Sequence, residues 1–176
     1  IINVIISILN GLNDPKISVE YYQKIINNSP EEHLVHFNLG TVYQDMGRTD
    51  DAISSYKQTI KLQPEFSEAF LNLGIIFEET GKLDEALKNL QRANEIDPDN
   101  LLILNNLGIT LEELDRKEDA IIHFEKAIQI DPDDRASYFN LGVALRDKNK
   151  EYAIKNFEKV IELNPKNGEC YFHLGG

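Results

Sequence analysis

Two pairs of residues have a spacing that could bring metal ligands onto one face of a helix. They are His33 with His36 and Cys170 with His173, each three positions apart, which is about one helical turn. A structural zinc site needs about four ligands and a catalytic one about three, and neither pair has further ligands beside it in the sequence. We therefore expect neither a metal site nor any other cofactor.

Acidic residues also stand side by side, as in Glu112-Glu113 and Asp133-Asp134, and carboxyl groups are residues that acid-base catalysis uses. Their positions predict helix starts or solvated helix faces, without an apolar pocket to raise a pKa. The sequence contains no glycine-rich phosphate loop, no Ser-His-Asp set and no nucleophile elbow. We therefore expect no catalytic residues, and a protein that is not an enzyme.

Hydrogen bonding by side-chain amides is a further kind of chemistry, and it is repeated along the chain. Asparagine opens the tripeptide Asn-Leu-Gly at Asn38, Asn72, Asn106 and Asn140, in steps of 34 residues. A side-chain amide has two donors and an acceptor with two lone pairs, so it can bond both the N–H and the C=O of an extended peptide. His173 begins a related tripeptide 33 residues later and interrupts the amide series.

Composition narrows the classes of partner. The 176 residues are 41% apolar and 27% charged, with a formal net charge of −12, which is ordinary globular usage. A chain this acidic has no average attraction for nucleic acid phosphates or for an anionic membrane, so we expect neither partner. The single cysteine, Cys170, cannot form an internal disulfide, and this favours an intracellular, cytoplasmic protein.

A 34-residue repeat positions the amides. Alanines and prolines keep the same step as the asparagines, and apolar residues recur at helical spacing twice in each unit. Each unit is therefore predicted to be a hairpin of two helices, A and B. The A helices are predicted over 33–46, 67–80, 101–114 and 135–147, and the B helices over 50–62, 84–96, 117–130 and 150–163.

Glycine stands in the middle of every predicted A helix, although it costs about 1 kcal/mol there relative to alanine. The positions are Gly40, Gly74, Gly108 and Gly142. We expect close approach of helix B to offset this cost, because the B helices carry small residues at Ala52, Ala86, Ala120 and Ala153. One hairpin cannot bury its own apolar face, so neighbouring hairpins must stack on it.

Both ends of the chain depart from the regular repeat. Residues 1–12 are rich in isoleucine but too short to span a bilayer, so we expect a buried helix within a degenerate first hairpin, 1–30. Full repeats are expected over 31–64, 65–98, 99–132 and 133–165. Ser29 is expected to cap the first of these, with Pro30 in its first turn and Glu32 closing a capping box. Residues 166–176 begin a further repeat, which suggests a fragment of a longer array.

The pattern resembles the tetratricopeptide repeat, whose 34-residue unit carries an aromatic, Leu-Gly, an aromatic, Ala, an aromatic and Pro. The second full unit has Phe70, Leu73-Gly74, Phe77, Ala86, Leu90 and Pro98 at these places. The resemblance implies an all-α protein, a right-handed superhelical solenoid of antiparallel helix hairpins. It also implies that the A helices line a concave groove that binds peptides or partner proteins, and it does not imply catalysis.

The resemblance further implies which residues face this groove. The four asparagines would point into it and resemble the asparagine ladder of O-linked N-acetylglucosamine transferases. Beside them on the same face lie Thr41, Ile75, Ile109 and Val143. One turn further come the acidic residues Asp45, Glu79, Glu113 and Asp147. The alternatives are that the asparagines only bond the neighbouring helix and that the acids are only a solvated helix end.

The partner expected for such a groove is a neutral or basic extended segment of a protein or peptide. The first three full A helices contain no lysine or arginine, whereas chaperone-binding members of the family resemble one another in clamping an acidic tail with basic groove residues. Two further interpretations stay open. The chain is the substrate-recruiting arm of a larger enzyme such as a glycosyltransferase, or it self-associates through exposed ends of the solenoid.

Overall fold

The computed structural model describes residues 2–12, 14–165, 170 and 173. Within these residues it contains ten α-helices and no strand. The helices are α1 (Ile2–Asn10), α2 (Pro15–Asn28), α3 (His33–Asp45), α4 (Thr49–Leu62), α5 (Ser67–Glu79), α6 (Leu83–Ile96), α7 (Leu101–Glu113), α8 (Lys117–Ile130), α9 (Arg135–Leu145) and α10 (Lys150–Leu163).

The predicted fold class is confirmed as an all-α array of helical repeats. The predicted A helices correspond to α3, α5, α7 and α9, the predicted B helices to α4, α6, α8 and α10, and every predicted end lies within two residues of an observed one. The segment expected to form a degenerate first hairpin contains α1 and α2. The further repeat expected over 166–176 lies outside the described residues apart from Cys170 and His173. The repeat boundaries themselves stay a prediction.

Three A helices end in the same kind of turn. The N–H groups of Arg48, Lys82 and Arg116 donate to the carbonyl oxygens five residues earlier, each at 2.8 Å. This geometry requires a left-handed residue just before the donor. Glycine supplies it at Gly47 (φ 68°) and Gly81 (φ 71°), but the third turn uses Asp115 at φ 58°.

The expected capping box at Ser29 is wrong. Ser29 ends α2, since its N–H donates to Ile25 O at 2.7 Å, and α3 begins only at His33 with Glu32 as its N-cap residue and no side-chain cap bond. The proline near the end of each 34-residue repeat therefore lies in the turn after a B helix. Pro30 occupies this place at the same 34-residue step as Pro64.

The chain divides into two compact units, Ile1–Ile76 and Phe77–Gly176. In the first unit, the ring of Tyr56 on α4 packs against Gly40 on α3, where an added Cβ would lie 2.7 Å from Tyr56 Cε1. In the second unit, Phe124 packs in the same way on Gly108. The glycines thus make room for an aromatic ring of helix B, more directly than for its small alanines.

Helix α1 buries only one of its faces. Ile6 and Leu9 are buried, as expected, but Val4 and Ile8 are 63% and 60% exposed, and Leu12, which follows the helix, is 42% exposed. The expectation of a buried helix is therefore wrong for this second face, because among the described residues of the first unit no helix covers it.

Candidate functional site

The four asparagines lie at the border between core and surface of their units. In the first unit Asn38 and Asn72 stand on α3 and α5, and in the second unit Asn106 and Asn140 stand on α7 and α9. All four are half-buried. Each precedes a buried leucine that anchors its helix in the core, and one residue turns a helix by about 100°. The amides are therefore accessible but held close to neighbouring side chains.

Two of these amides bond their own helix. Asn38 Nδ2 donates to Leu34 O at 2.7 Å, and Asn106 Nδ2 donates to Leu102 O at 2.7 Å. An amide nitrogen carries two hydrogens, so one donor of Asn106 is left, and its Oδ1 accepts no hydrogen bond from the described residues. Asn106 can thus bond both backbone groups of a ligand.

The other two amides bond a neighbouring helix, as the alternative interpretation held. Asn72 Nδ2 donates to Tyr56 Oη on α4 at 3.1 Å, and Asn140 Nδ2 donates to Asn105 Oδ1 on α7 at 3.2 Å. For Asn72, the partner is the residue at the aromatic position of the preceding B helix. Tyr56 offers a hydroxyl there to Asn72, whereas Leu90 and Phe124 stand at the matching places before Asn106 and Asn140.

Tyr56 joins several polar groups of the first unit. Its Oη donates to Gln44 Oε1 at 2.9 Å and lies 3.4 Å from Thr41 Oγ1, in addition to accepting from Asn72. Burial raises the pKa of the Tyr56 hydroxyl above its ordinary value, so the group stays protonated at neutral pH. Asn72 is therefore part of a structural network as well as a candidate binding residue.

A second network, which the sequence analysis missed, surrounds Asn105. This buried residue donates through Nδ2 to Asp134 Oδ2 and to Ser137 Oγ, both at 3.0 Å. The Asp134 carboxylate also accepts from the Ser137 N–H at 3.1 Å and caps α9. Burial would raise the pKa of Asp134, but hydrogen bonds from Ser137 and Asn105 outweigh it and hold that pKa below its usual value. The network ties α7 to α9 and holds Asn140.

A signal for this network was present in the sequence. Asn105 stands at the repeat position that holds Phe37, Leu71 and Phe139 in the other units. A polar residue at a core position needs buried partners, and Asp134 with Ser137 three residues later supplies them.

The expected aliphatic row is half-buried, like the amides beside it. It consists of Thr41, Ile75, Ile109 and Val143. In the first unit Asn38, Thr41 and Asp45 line a common cavity of about 420 Å³, together with Leu9 and Leu12. In the second unit Asn140 lines a cavity of about 320 Å³ with Phe139 and Arg135. The structure thus brings one asparagine, one residue of the aliphatic row and one acid together around a cavity.

The four predicted acids, Asp45, Glu79, Glu113 and Asp147, are all exposed. Asp147 pairs with Lys117 Nζ at 3.2 Å, and this hydrogen bond lowers its pKa. In the described part of the chain the other three have no ion pair, so only solvent screens their charge. Exposed pairs contribute little stability.

Two further acids, Glu78 and Glu112, are half-buried beside the exposed ones. Burial raises the pKa of both carboxyl groups, and Glu78 Oε2 accepts a hydrogen bond from Thr110 Oγ1 at 3.0 Å. The expectation that adjacent carboxylates find no environment to raise a pKa is therefore wrong for Glu112. One residue earlier on a helix points about 100° away, which turns this side chain from solvent toward the packed helices.

The residues that could have bound a metal have other surroundings. His36 Nε2 lies 2.9 Å from Pro30 O, and the ring of His173 stacks on Phe157 at 5.1 Å. Throughout residues 2–12, 14–165, 170 and 173, no group of three or more His, Cys, Asp or Glu side chains is placed to hold a metal ion. None of the described helices is both long and apolar enough to cross a membrane.

Comparisons with known proteins agree with this architecture. Three family models described as tetratricopeptide repeat match residues 37–100, 77–145 and 136–167. No curated protein matches the chain. Among solved structures, the crystal structure of MamA is 28% identical, with 86% of this chain and 89% of that chain covered and a TM-score of 0.78.

Two other solved structures concern peptide binding. YrrB, described as a TPR protein with an unusual peptide-binding site, is 20% identical over 97% of this chain and 89% of that chain, with a TM-score of 0.84; at this identity the likeness shows the fold alone. The first TPR of Spaghetti (RPAP3), solved with the HSP90 peptide SRMEEVD, is 25% identical over 62% of this chain and 87% of that chain, with a TM-score of 0.60.

Proposed function

Since this chain belongs to the tetratricopeptide repeat family, we propose that it is a scaffold that binds an extended segment of a partner protein and has no catalysis of its own. The binding surface consists of three sets of residues. The amide row is Asn38, Asn72, Asn106 and Asn140. Beside it lie the aliphatic row, Thr41, Ile75, Ile109 and Val143, and the acidic edge, Asp45, Glu79, Glu113 and Asp147. The repeat boundaries 31–64, 65–98, 99–132 and 133–165 are part of this proposal. The RPAP3 repeat with its bound peptide supports this mode of binding.

The observation that carries the proposal is that the side-chain amide of Asn106 has hydrogen-bonding groups left for a ligand. Its amide is half-buried, keeps one free donor, and has an oxygen without a partner among the described residues. A ligand backbone supplies both complementary groups at each residue. Packed helices lie about 8–10 Å apart and an extended chain advances about 3.3 Å per residue, so one asparagine would serve about three ligand residues.

The charge of the acidic edge sets the preferred partner, a neutral or basic segment. Glu78 and Glu112 are partly desolvated, and Glu79 and Glu113 stand exposed beside them. A cationic ligand would compensate these carboxylates, whereas an acidic ligand would add repulsion. The chain should therefore differ from the RPAP3 repeat, whose bound peptide SRMEEVD is acidic.

Matched peptides test this charge preference. SRMKKVK reverses the acidic residues of SRMEEVD and keeps the length and the other side chains. We expect the basic peptide to bind more tightly in isothermal titration calorimetry, and its affinity to fall as salt is raised. Tighter binding of SRMEEVD, or binding of the basic peptide that does not change with salt, would contradict the proposed preference.

Asn106→Ala tests the amide row itself. We expect it to weaken binding of the basic peptide by about tenfold while leaving helicity unchanged, because Asn106 bonds only its own helix. Asn89→Ala is the matched control, since Asn89 Nδ2 donates in the same way to Glu85 O at 2.7 Å but on α6. Equal loss of binding in both variants, or loss of folding in N106A, would show that the amide is structural.

Asn72→Ala should behave differently from Asn106→Ala. It removes the bond to Tyr56 Oη, so we expect weaker binding together with a loss of about 1 kcal/mol in stability. Thermal unfolding followed by circular dichroism separates the two effects. Unchanged stability would show that the Tyr56 network does not depend on Asn72.

A second proposed activity is self-association, and the exposed face of α1 supports it. Val4 and Ile8 are 63% and 60% exposed, one helical turn apart. Sedimentation over a range of concentrations should show association that Ile8→Lys abolishes, with Ser7→Lys, on an exposed position of the same helix, as the control. A monomer at all concentrations would exclude it.

The proposal also covers the location of the protein in the cell and its role within a larger enzyme. We place the protein in the cytoplasm because a single cysteine cannot form an internal disulfide. That it recruits substrates for a larger enzyme stays a prediction. Turnover of any substrate by residues 1–176 alone would contradict the absence of catalysis.

A further inference from the structure

The cavity of about 420 Å³ in the first unit lies where the end of α1, the start of α2 and the helix α3 meet. Four of its eight lining residues are apolar, namely Leu9, Leu12, Pro15 and Val42. Apolar walls are stabilised by contact with hydrocarbon in place of water. An occupant of this cavity should therefore carry an apolar portion that lies along these walls.

Three further lining residues, Ser18, Asn38 and Thr41, are polar but uncharged. Ser18 Oγ donates to Leu9 O at 3.3 Å. Thr41 Oγ1 donates to Phe37 O at 3.3 Å, and Asn38 Nδ2 also donates to a carbonyl of its own helix. A hydroxyl group has a single hydrogen, so Ser18 and Thr41 can only accept further hydrogen bonds. The polar part of the lining therefore favours an occupant that donates.

The eighth lining residue is Asp45, an exposed acid at the end of α3. A carboxylate at this end of a helix opposes the helix dipole. Within the described ranges no ion pair compensates its charge, because Arg48 pairs with Asp51 at 2.7 Å and Lys16 does not line the cavity. The eight lining residues thus carry one negative charge and no positive one, and a cation would stabilise the carboxylate.

The second unit contains a lysine at the equivalent place of the repeat. Lys117 and Asp147 stand three steps of 34 residues after Pro15 and Asp45. Lys117 begins α8 as Pro15 begins α2, and α8 packs against α9 as α2 packs against α3. The Lys117 ammonium pairs with Asp147 at 3.2 Å. This place in the repeat can therefore hold an ammonium group, and the first unit has a proline where the second has the lysine.

We propose that the cavity of the first unit binds a lysine side chain of the partner segment, with its ammonium group on Asp45 and its carbon stem against Leu9 and Leu12. This inference rests on the proposed function and adds one side chain that the bound segment must supply. An ammonium group has three donors and no acceptor, and the stem of lysine packs on apolar surface. An acidic side chain would be repelled by Asp45, and an aliphatic one would leave its charge uncompensated.

Isothermal titration calorimetry with SRMKKVK tests the role of Asp45. Asp45→Asn should weaken binding about twofold to fivefold. Asp50→Asn is the matched control, because it makes the same change of charge at an exposed residue of α4 that does not line the cavity. The peptide SRMQQVQ has glutamine in place of the lysines, and its binding should differ little between D45N and the wild type.

Pro15→Lys tests the comparison with the second unit, because it copies Lys117. The new ammonium group should pair with Asp45 and fill the cavity, so we expect SRMKKVK to bind about twofold to fivefold more weakly. Ile17→Lys is the control, since it adds the same charge at an exposed position of α2 outside the cavity lining.

Equal binding of SRMKKVK by D45N and D50N, or by P15K and I17K, would overturn the lysine site. An equal loss of SRMKKVK and SRMQQVQ in D45N would overturn it as well. If N106A still weakens binding in these cases, the proposed function stands without the lysine site. If the wild-type chain does not bind SRMKKVK at all, both the proposed function and the lysine site are wrong.

Discussion

A single methyl group added at Gly108 should destabilise the second unit. An ideal Cβ at this position would overlap Cε1 of Phe124 and would lie 2.6 Å from its Cζ and 2.9 Å from its Cδ1. Carbon atoms pack best at about 3.5–4.0 Å, so the ring would have to retreat by about 1 Å. Phe124 is fully buried, and a buried ring cannot make this movement without displacing its neighbours.

The expected magnitude follows from two opposing effects. Overpacking of this kind costs about 1–3 kcal/mol, and three ring atoms inside 3.0 Å place Gly108→Ala near the upper end. Alanine gains about 1 kcal/mol over glycine inside a helix. The net loss is therefore about 2 kcal/mol, which lowers the unfolding temperature of a chain of this size by about 4–8 °C.

Thermal unfolding followed by far-ultraviolet circular dichroism measures this change. Gly11→Ala is a control, since the nearest atom to its added Cβ would lie at an ordinary 3.4 Å. In a Phe124→Leu background, which copies Leu90 of α6, the cost of Gly108→Ala should fall by more than about 1 kcal/mol because the ring is gone. If Gly108→Ala is as stable as the wild type, the packing of the ring on the glycine does not explain why glycine recurs at this place in the repeat.

Three further predictions concern charges and turns. Burial raises the folded-state pKa of Glu112, so the ionised form of this residue opposes folding. Glu112→Gln should therefore raise the unfolding temperature at pH 7 by about 1–3 °C. This gain should shrink as the pH falls toward about 4, because the wild-type carboxyl group then becomes protonated. The pKa of Asp134 is lowered in the folded state, so the wild type should lose stability below about pH 4, and Asp134→Asn should be less stable at pH 7 but lose less on acidification. Asp115→Gly removes a left-handed aspartate and should stabilise by about 0.5 kcal/mol, seen as a higher urea midpoint.

The helices could be predicted closely because three kinds of residue repeat in phase. Apolar spacing located the hairpins, and the 34-residue step of Asn-Leu-Gly aligned them. The predicted cap at Ser29 is wrong because Ser-Pro-Glu-Glu has the local composition of a helix start, whereas the 34-residue step places Pro30 with the other prolines in a turn. Where the local and periodic signals differed, the periodic one was correct.

The hydrogen bonds of the asparagines could not be predicted from Asn-Leu-Gly alone. The four tripeptides are identical, yet Asn72 bonds Tyr56 and Asn106 bonds its own helix. The difference arises from a residue on the preceding B helix, which is Tyr56 before Asn72 and Leu90 before Asn106. For the same reason Glu112 and Glu113 look alike in sequence, although only the first is turned into a packed environment.

The contact between glycine and aromatic ring is made inside a single hairpin, by α3 with α4, by α7 with α8 and by α9 with α10. Duplication or deletion of a complete hairpin would consequently leave every such contact intact in those that remain. A gene encoding this protein can therefore grow or shrink by whole 34-residue modules without redesigning the interior of any one. Each module gained would bring its own asparagine, and in the proposed mode of binding the length of polypeptide held would change in the same increments.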